Sequence, residues 1–565
     1  MEQDYDSPST CLLPWDRFSA WIHCICVVTF DLELGQALEL IYPLHVQMTE
    51  QEKTNICYLA FPDSNSGCMG DTRFHFRLRA SPQSGKHSNL TAAHLQYNEK
   101  CLPTLQANPA YYYGFVYFRQ VKDKGLPRGY FQKSVVIISR LPFITLFNEV
   151  VGIVAPEYFE HGEPSLEAAC HDIDQWPSPQ PGRMVTLPIF GTAIQAHVPS
   201  QLNKISGSTA SIVGLNDKNF SHLTHTILGS VCDVDLFRCF SSLLPYVHLL
   251  WELVLVAEPL VVMASHPQIC SEMVQALVSI IAPLNFYADY RPYFTIHDSE
   301  FKEYTTRTHL PPPVILGVTN PFFAKTLQHW PHIIKTCDSI QANSKHSKLK
   351  KGTNLKMLDS KPGVYTHYRP YLKKDKTFLS KLIKGVQTKR PGEVQTALLR
   401  QHLQELTESF MIPLERYMAS CMPLQKNISP YKAAPVPRPF NQDVFIATLG
   451  TAGPQLTSGV KGDWQGLYKR FFKSPNFSGW YSARYQHLHL KLKALQLEAL
   501  SDADLTEWVR DKQEVEVVDM VLKIREKLKH TDLPLSNTTK DQLKTRMDEI
   551  INTLPEDLKQ VLKTS

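Results

Sequence analysis

The order of apolar runs in the first 160 residues limits the possible folds more than any other feature of the sequence. A near-continuous apolar run from Trp21 to Phe30 predicts a buried strand, and a second strand, Gln36 to Tyr42, follows a tight turn. Thr49 to Leu59 is predicted to be a helix, because Thr49 and Glu52 have the spacing of a capping box. Three more strands and a helix are predicted after it: Thr72 to Arg79, Tyr111 to Arg119, Ser134 to Arg140 and Pro142 to Tyr158. The N-terminal part of the chain is therefore expected to combine a sheet with helices.

The strand from Thr72 to Arg79 alternates between apolar and basic residues. Phe74, Phe76 and Leu78 would share one face, which predicts a half-buried strand with a basic outer face. Two interpretations stay open: the charges deter pairing at the edge of a sheet, or the basic face binds a partner. The candidate partner-binding residues on this strand are Arg73, His75, Arg77 and Arg79.

A second candidate binding group lies in an aromatic and charged stretch further along the chain. Aromatic residues and arginines are common anchors of protein interfaces, although ordinary surface or core packing would use the same residue types. The candidates in this stretch are Tyr287, Asp289, Tyr290 and Arg291.

The middle of the chain alternates between strands and helices after a polar, proline-rich stretch. That stretch, His161 to Pro181, predicts a linker. Short buried strands are predicted at Glu252 to Val256, Leu260 to Met263 and Val314 to Val318, and Ser265 is expected to cap a helix between the last two. This alternation is typical of an α/β sandwich.

The last third of the chain is predicted to be helical. Apolar residues from Leu399 to Phe410 recur at helical spacing, and Pro413 is expected to kink or end that helix. The predicted domain boundaries are 15–160 for the N-terminal domain, 161–182 for the linker, 183–340 for the central α/β module, 341–392 for a basic connecting segment and 393–565 for the helical C-terminal region.

The compartment is expected to be the cytoplasm. The chain has twelve cysteines, none in a CxxC pair, which predicts reduced thiols. Its first residues lack the basic-then-apolar layout of a signal peptide. The most apolar stretch, Leu243 to Ala264, carries Glu252 and Glu258, so it is expected in a protein core rather than in a bilayer.

No motif in the sequence indicates an active site, a metal site or a cofactor. The chain has no GxGxxG, HExxH or GxSxG pattern, and Gly85-Lys86 lacks the first glycine of a phosphate-binding loop. His171, Asp172 and Asp174 could form an acid–base group, but they lie in the predicted linker and are expected to be solvated. No cofactor is expected, and catalysis by residues distant in sequence stays open.

The positive charge of the chain is concentrated in one segment. Fourteen Lys and Arg residues and two acids lie between Lys345 and Arg390, so this segment carries +12 and leaves −7 for the rest of a chain whose net charge is +5. A solvated linker, contact with an anionic membrane and contact with an acidic protein all stay open. Nucleic-acid binding is not expected, because the densest part, Lys345 to Lys356, has no interleaved aromatic residues.

Four long and unusual strings carry a family resemblance. They are residues 28–36 (VTFDLELGQ), 258–263 (EPLVVM), 293–301 (YFTIHDSEF) and 317–323 (GVTNPFF). With shorter matches at 454–456 and 462–464, they extend over nearly the whole chain. On these strings the chain resembles the DENN-domain proteins, and within them the subgroup called DENN domain-containing protein six.

The resemblance implies a fold of the α/β plus α class. Its parts would be an N-terminal longin domain (an antiparallel sheet with helices), a central three-layer α/β DENN module and a helical C-terminal region. The implied activity is guanine-nucleotide exchange on a Rab GTPase, bound preferentially in its GDP-loaded or nucleotide-free form. The implied partner is Rab fourteen on recycling endosomes. In this family the Rab switch regions lodge between the longin and DENN modules, whose mutual position the linker would set.

Two other functions compete with exchange. The first is an interaction scaffold that binds a GTPase without promoting nucleotide release. The second is a GTPase activator that inserts an arginine. The candidate is Arg128, in the glycine-containing loop of residues 125–130, although an ordinary hairpin turn is the favoured explanation of that loop.

Overall fold

The architecture is known from a computed structural model of the chain. The structure describes residues 15–31, 33, 35–63, 69–81, 90–126, 129–200, 224–336, 361–449, 460–510, 512–529 and 535–564. These residues form two compact units. The first contains the described residues up to Thr407 and a short stretch ending at Gly462, and the second contains those from Glu408 to 449 and from Asp463 onward.

The first unit begins with a five-stranded antiparallel sheet in the order β2-β1-β5-β4-β3. The predicted capping box is confirmed: the Thr49 side chain accepts a hydrogen bond from the Glu52 N–H, and the Glu52 carboxylate accepts one from the Thr49 N–H. The elements are α1 (Asp16–Ser19), β1 (Cys24–Asp31), β2 (Gly35–Tyr42), α2 (Glu50–Leu59), β3 (Gly70–Arg79), α3 (Ala92–Lys100), β4 (Tyr111–Lys122), β5 (Tyr130–Ser139), α4 (Ile144–His161) and α5 (Glu163–Asp174). We call these elements the N-terminal module. Helix α3 is an element that was not predicted from the sequence.

The centre of this sheet is tightly packed. Phe74 and Phe76 of β3 lie in the hydrophobic core with Cys24 and Cys26 of β1. Gly114 pairs directly with Phe76 across the strands, and a Cβ atom at Gly114 would lie 2.2 Å from the Phe76 ring. The ring therefore occupies the space that any other residue at position 114 would need.

The predicted linker, 161–182, is a folded part of the N-terminal module, and this corrects the expectation. Glu163–Asp174 forms α5, whose side chains at Leu166 and Ile173 are completely buried. Asp174 accepts a hydrogen bond from the Phe18 N–H at 2.9 Å, and Asp172 accepts one from the Phe190 N–H at 3.0 Å. The polar residues that suggested a solvated linker thus bind the backbone of neighbouring segments.

A small sheet and a larger one follow, and we call them, with their helices, the central module. The small sheet has the order β6-β7-β8; the larger has the order β10-β11-β9-β12-β13, in which β13 is antiparallel to four parallel strands. The elements are β6 (Met184–Ile189), β7 (Thr192–His197), β8 (Thr224–Leu228), α6 (Leu236–Phe240), α7 (Val247–Leu255), β9 (Leu260–Met263), α8 (Pro267–Ser279), β10 (Asp289–Arg291), α9 (Phe301–Thr305), β11 (Val314–Val318), α10 (Phe323–Thr326), β12 (His332–Lys335), β13 (Gly363–Thr366) and α11 (Lys376–Gln387).

Two expectations for the central module were wrong. Glu252 to Val256 is not a strand but the end of α7, because a short, wholly apolar run has no periodicity that separates a buried helix from a strand. The described part of the predicted connecting segment, 361–392, contains β13 and α11. The completely buried Glu252 carboxylate accepts hydrogen bonds from the Tyr371 and Leu372 N–H groups and so fixes the chain between these two elements.

Among the described residues after 391, the regular elements longer than a single turn are all helices, as expected. Pro413 does not end the helix that contains it, which runs from Gly392 to Ser420. The helices are α12 (Gly392–Ser420), α13 (Gln442–Thr448), α14 (Trp464–Phe471), α15 (Pro475–Asp502), α16 (Leu505–Arg510), α17 (Glu514–Lys529), α18 (Asn537–Ile551) and α19 (Glu556–Thr564).

Candidate functional site

The middle of the basic face of β3 is buried, which corrects the predicted basic outer face there, whereas Arg73 and Arg79 toward its ends stay exposed. His75 and Arg77 are almost completely buried, because α4 and α8 pack against this side of the strand. Phe74, Phe76 and Leu78 lie in the hydrophobic core on the opposite side, as the alternation predicted. Since β3 is the edge strand of its sheet, the central module covers an edge that would otherwise be open to another chain.

Side chains from the N-terminal and central modules meet in one charged cluster, which we call the inter-sheet joint (Arg77, Arg79, Asp289, Arg291 and Glu300). Asp289 lies at its centre: its Oδ1 is 2.7 Å from Arg77, and its Oδ2 is 3.1 Å from both Arg79 and Arg291. Glu300 forms ion pairs with Arg79, at 2.9 Å, and with Arg291. Three guanidinium groups thus share two carboxylates across the boundary between the two sheets.

Tyrosine side chains complete the joint. The Arg77 guanidinium lies 3.4 Å from the ring centroid of Tyr111 and 4.2 Å from that of Tyr290. The Tyr113 and Tyr290 hydroxyl oxygens are 3.1 Å apart. Arg77 also donates to the Tyr290 carbonyl, and Arg291 donates to the Arg77 carbonyl, each at 3.3 Å. The buried cation is therefore paired with a carboxylate, stacked on aromatic rings and hydrogen-bonded to backbone, which together offset its desolvation.

The joint keeps its central carboxylate ionised. Burial alone raises the pKa of Asp289, but the positive charges of Arg291, Arg77 and Arg79 outweigh burial and hold this pKa below its ordinary value. Burial raises the pKa of Glu300, and Arg291 and Arg79 offset that effect only in part. Because Asp289 serves three arginines, its removal would leave buried positive charge without a partner.

A second contact holds the two modules together at the carboxyl end of β11. The Tyr293 hydroxyl accepts a hydrogen bond from the Asp63 N–H at 2.9 Å, and Thr319 donates to the Asp63 carboxylate at 2.9 Å. Nearby, the rings of Tyr58 and His297 stack with centroids 4.8 Å apart. Two separate contacts fix the position of one module on the other, so the modules form one body.

The other three predicted site residues lie outside the joint. Arg73 donates to the Asn148 carbonyl at 3.1 Å and pairs with Glu149 at 3.3 Å. His75 lies in the packed layer, where burial lowers its pKa to about 3 and neither ring nitrogen has a hydrogen-bond partner among the described residues. Tyr287 is 37% exposed on the surface. The structure therefore brings together five of the eight predicted residues: Arg77, Arg79, Asp289, Tyr290 and Arg291.

Sequence reasoning missed three members of this arrangement. Glu300 lies inside the string of residues 293–301, and Tyr111 and Tyr113 belong to a run of three tyrosines. Each of them had a signal in the sequence: Glu300 is an acid next to an aromatic residue, and the two tyrosines belong to an aromatic cluster at the start of a strand. What one sequence could not supply was the pairing, because the contacts join residues about 200 positions apart.

An open groove of about 630 Å³ adjoins the joint. We call it the inter-module groove: one wall comes from residues 102–109 of the N-terminal module, and the facing wall includes Val278 and Phe286 of the central module. Arg400 and Gln404 of α12 line it as well. Arg77, Tyr113 and Tyr290 belong to both the groove and the joint. Its volume and its place between two modules are typical of binding sites in proteins.

The described ranges contain no group of three or more His, Cys, Asp or Glu side chains placed to hold a metal ion. In the same ranges, no helix combines the length and apolar character needed to cross a bilayer. Arg128, the residue expected of a GTPase activator, lies outside the described residues.

Comparison with known families matches three parts of the chain. Residues 22–167 match the family described as transport protein Avl9, and residues 130–338 match the DENN (AEX-3) domain. Residues 505–565 match the DENND6 C-terminal domain, a region that contains α16 to α19. The inter-sheet joint lies within the first two matches.

Curated relatives match over almost the full length. The chain is 54% identical to mouse (Mus musculus) Protein DENND6B over 558 residues, 98% of this chain and 94% of the relative. It is 57% identical to chicken (Gallus gallus) Protein DENND6A over 557 residues, with 98% and 94% covered. The Protein DENND6 homolog of Dictyostelium discoideum is 32% identical over 599 residues, with 94% of this chain and 80% of the relative covered.

The strings in the sequence suggested the B form of this subgroup. Identities of 54% to a B form and 57% to an A form do not assign the chain to either. Identity above 30% over nearly the whole of both chains, with matches to the DENN and DENND6 C-terminal domains, does settle the family. The chain belongs to the DENND6 family of DENN-domain proteins.

Proposed function

We propose that this chain is a guanine-nucleotide exchange factor for a Rab GTPase. DENN-domain proteins generally act on Rab GTPases, which makes a Rab the best-supported kind of partner. The observation that carries the proposal is the inter-module groove, because its two walls belong to modules that the inter-sheet joint holds in fixed positions. A groove of this kind can impose one shape on a mobile partner.

Exchange requires differential binding rather than a catalytic side chain. A GTPase that binds nucleotide with picomolar affinity holds it by about 16 kcal/mol. An exchange factor must bind the nucleotide-free GTPase more tightly than the loaded one, since only a difference in affinity shifts the population. Release that is ~10³–10⁵-fold faster needs roughly 4–7 kcal/mol off the barrier. An interface of ordinary size, ~1,600 Å² in total, is sufficient.

The groove can deliver that difference because the contacts of the inter-sheet joint hold its walls in fixed positions. In this proposal the switch regions of the Rab enter the groove between a longin domain, formed by the N-terminal module, and a three-layer DENN module. The GTPase would then adopt the conformation that the fixed walls accept, which is the nucleotide-free one. The GDP-bound form is the incoming substrate, and no cofactor takes part.

The finer identity of the partner follows the family resemblance. We propose Rab fourteen, acting at recycling endosomes, with this chain recruited from the cytoplasm. A panel of Rab proteins loaded with a fluorescent GDP analogue tests this choice, because faster release from another Rab and unchanged release from Rab fourteen would replace it.

Filling the groove tests the exchange proposal. Val278 of α8 is partly exposed and lines the groove, so Val278→Trp places a large ring where the Rab would bind. Release of the fluorescent GDP analogue should slow at least about tenfold relative to the unmodified chain, a loss of about 1.4 kcal/mol. Val121→Trp is the matched control, because Val121 is 48% exposed at the end of β4 and does not line the groove.

Other outcomes contradict exchange. Unchanged nucleotide release combined with stable Rab binding would indicate a scaffold. Faster phosphate release from the GTP form would indicate a GTPase activator. Equal effects of the two tryptophan substitutions would show that the groove is not the contact surface.

A further inference from the structure

The part of the basic segment that the structure describes forms a cluster of lysines on the surface of the first unit. Residues 361–390 contain nine Lys and Arg residues and one acid. All seven lysines are exposed, and we call the surface formed by the last six of them the lysine face: Lys373, Lys374, Lys376, Lys381, Lys384 and Lys389. The remainder of the predicted basic segment, residues 345–360, lies outside the described residues.

The charge of the lysine face is not balanced by neighbouring acids. None of its six lysines forms an ion pair within the described ranges. Asp375, the acid in this stretch, is the N-cap of α11 and accepts a hydrogen bond from the Phe378 N–H at 2.9 Å. Some exposed lysines elsewhere are paired, as Lys523 is with Asp519 at 2.6 Å, whereas others, such as Lys100 and Lys122, form no ion pair among the described residues.

The helix that carries three of these lysines is held firmly in place. Leu379, Leu382 and Gly385 of α11 are buried, and the Gln395 side chain donates to the Leu382 carbonyl at 3.0 Å. A Cβ atom at Gly385 would lie 2.2 Å from the Gln395 side chain, so helix and neighbour are in direct contact. The ring of Phe378 stacks on His402 with centroids 3.7 Å apart. The buried side of α11 is fixed, and its lysines therefore stay on the outside.

The composition of the lysine face favours a lipid surface over a protein as its binding partner. Cores of protein interfaces are enriched in aromatic residues and arginine and depleted in lysine. The exposed part of α11 has one large apolar residue, Val386, at 47% exposure, and carries Lys376, Lys381 and Lys384. Lysine clusters of this kind bind anionic headgroups, with about 1 kcal/mol for each basic residue near the surface.

We propose that the lysine face binds the anionic surface of a membrane, through the phosphate and carboxylate groups of lipid headgroups. The contact is electrostatic and peripheral, so it needs no apolar insertion. It goes beyond nucleotide exchange, since it concerns where the protein acts and not what it does to a GTPase.

Vesicle co-sedimentation of the full chain tests the proposal. The probes are phosphatidylcholine vesicles alone, with phosphatidylserine, or with a phosphoinositide, and the last two arms distinguish general anionic charge from a specific phosphate headgroup. The chain should bind both anionic preparations and not the neutral one. Binding should weaken as salt shortens the Debye length from about 8 Å at 0.15 M to about 3 Å at 1 M.

Charge reversal on α11 provides the decisive variant. The triple change Lys376→Glu, Lys381→Glu and Lys384→Glu should lower the vesicle partition coefficient by about a hundredfold or more, from roughly fivefold for each basic residue lost. The control reverses the exposed Lys100, Lys122 and Lys124, which gives the same net charge and should retain most binding. The triple Lys→Gln variant on α11 repeats the test without new negative charge, should the reversed helix fold poorly.

Three results would overturn the proposal. If the unmodified chain does not bind anionic vesicles, an acidic protein would be the partner that fits this face. Equal losses in the α11 and control variants would show that overall charge, and not this surface, is responsible. Equal binding to neutral vesicles would exclude an electrostatic contact. Nucleotide release from a Rab free of membrane should be unchanged in the α11 variants, which separates this proposal from the exchange activity.

Discussion

Two basic regions of this chain look alike in sequence and differ completely in structure. In the inter-sheet joint, Arg77 and Arg291 are buried, paired with Asp289 and fixed between two sheets. On the lysine face, Lys381 and Lys384 are exposed and form no ion pair among the described residues. The joint uses positive charge to hold the protein together, and the lysine face leaves it available for a partner.

The residue types fit these two roles. Arginine has a planar group that binds carboxylates in fixed geometry and stacks on rings, as Arg77 does on Tyr111. Lysine is a strongly hydrated point charge on a flexible stem, which suits a surface of mobile headgroups. The difference teaches that the role of a basic stretch depends on the rest of the chain. Where acidic and aromatic residues from other segments contact it, it stabilises the fold; where none do, it is available to bind a partner.

The largest effect is expected from removing the centre of the joint. Asp289→Ala should lower the free energy of unfolding by about 3–5 kcal/mol, because the buried Arg77 loses its carboxylate partner and Arg79 and Arg291 are left to share Glu300. Urea denaturation measures this loss. A loss below about 1 kcal/mol would mean that the joint does not stabilise the first unit.

The next effect is a pH dependence that arises from His75. Its pKa is about 3 in the folded protein and near 6.5 when unfolded, so the unfolded state binds more protons between these values. Stability should therefore fall as the pH decreases from 6.5 toward 3, with up to about 1.4 kcal/mol per pH unit from this residue. His75→Gln should make the decline shallower when denaturation is repeated across this range. His171→Gln, at an exposed position, is the control for the loss of a histidine.

A smaller effect is expected when Arg77 keeps its charge but loses its planar group. Arg77→Lys should lower the free energy of unfolding by about 1–2 kcal/mol, since an ammonium cannot reproduce both the stacking on Tyr111 and the hydrogen bond to the Tyr290 carbonyl. Thermal and urea denaturation of this variant and of Asp289→Ala, under the same conditions, would rank the two losses in the free energy of unfolding. A larger loss from Arg77→Lys would show that geometry, and not charge, dominates the joint.

The smallest effect on stability is expected from the lysine face. Lys381→Ala should change the free energy of unfolding by no more than about 0.5 kcal/mol, because an exposed residue without an ion pair contributes little. The same urea experiment measures it. A loss similar to that of Asp289→Ala would remove the contrast between the two regions.

Local signals in the sequence predicted much of the fold. The capping box at Thr49 and Glu52, the alternation in β3 and the apolar run of β11 each depend on neighbouring residues, and the structure contains all three elements. The failures came where a distant segment decides the outcome. The sequence of α5 is polar like that of a linker, but Trp176, just after this helix, packs against Trp21. The basic side of β3 was predicted to face solvent, but α8 packs against it.

The candidate site was predicted in some of its members but not in its arrangement. Arg77 and Asp289 were identified separately as partner-binding residues, and they are 2.7 Å apart in the structure. Neither alternation nor composition carries information about which of two charged groups on separate modules will meet. The groove was even harder to predict from the sequence, because its walls come from three separate parts of the chain.

Affinity for a Rab in each nucleotide state tests the central claim most directly. The full chain would be titrated against the same Rab in its nucleotide-free, GDP-bound and GTP-bound forms under identical conditions. Two modules in fixed positions should bind the nucleotide-free form at least about a hundredfold more tightly, a difference of about 2.7 kcal/mol. Equal affinity for the three forms would contradict exchange by this protein, because a partner that binds all states equally cannot shift their populations.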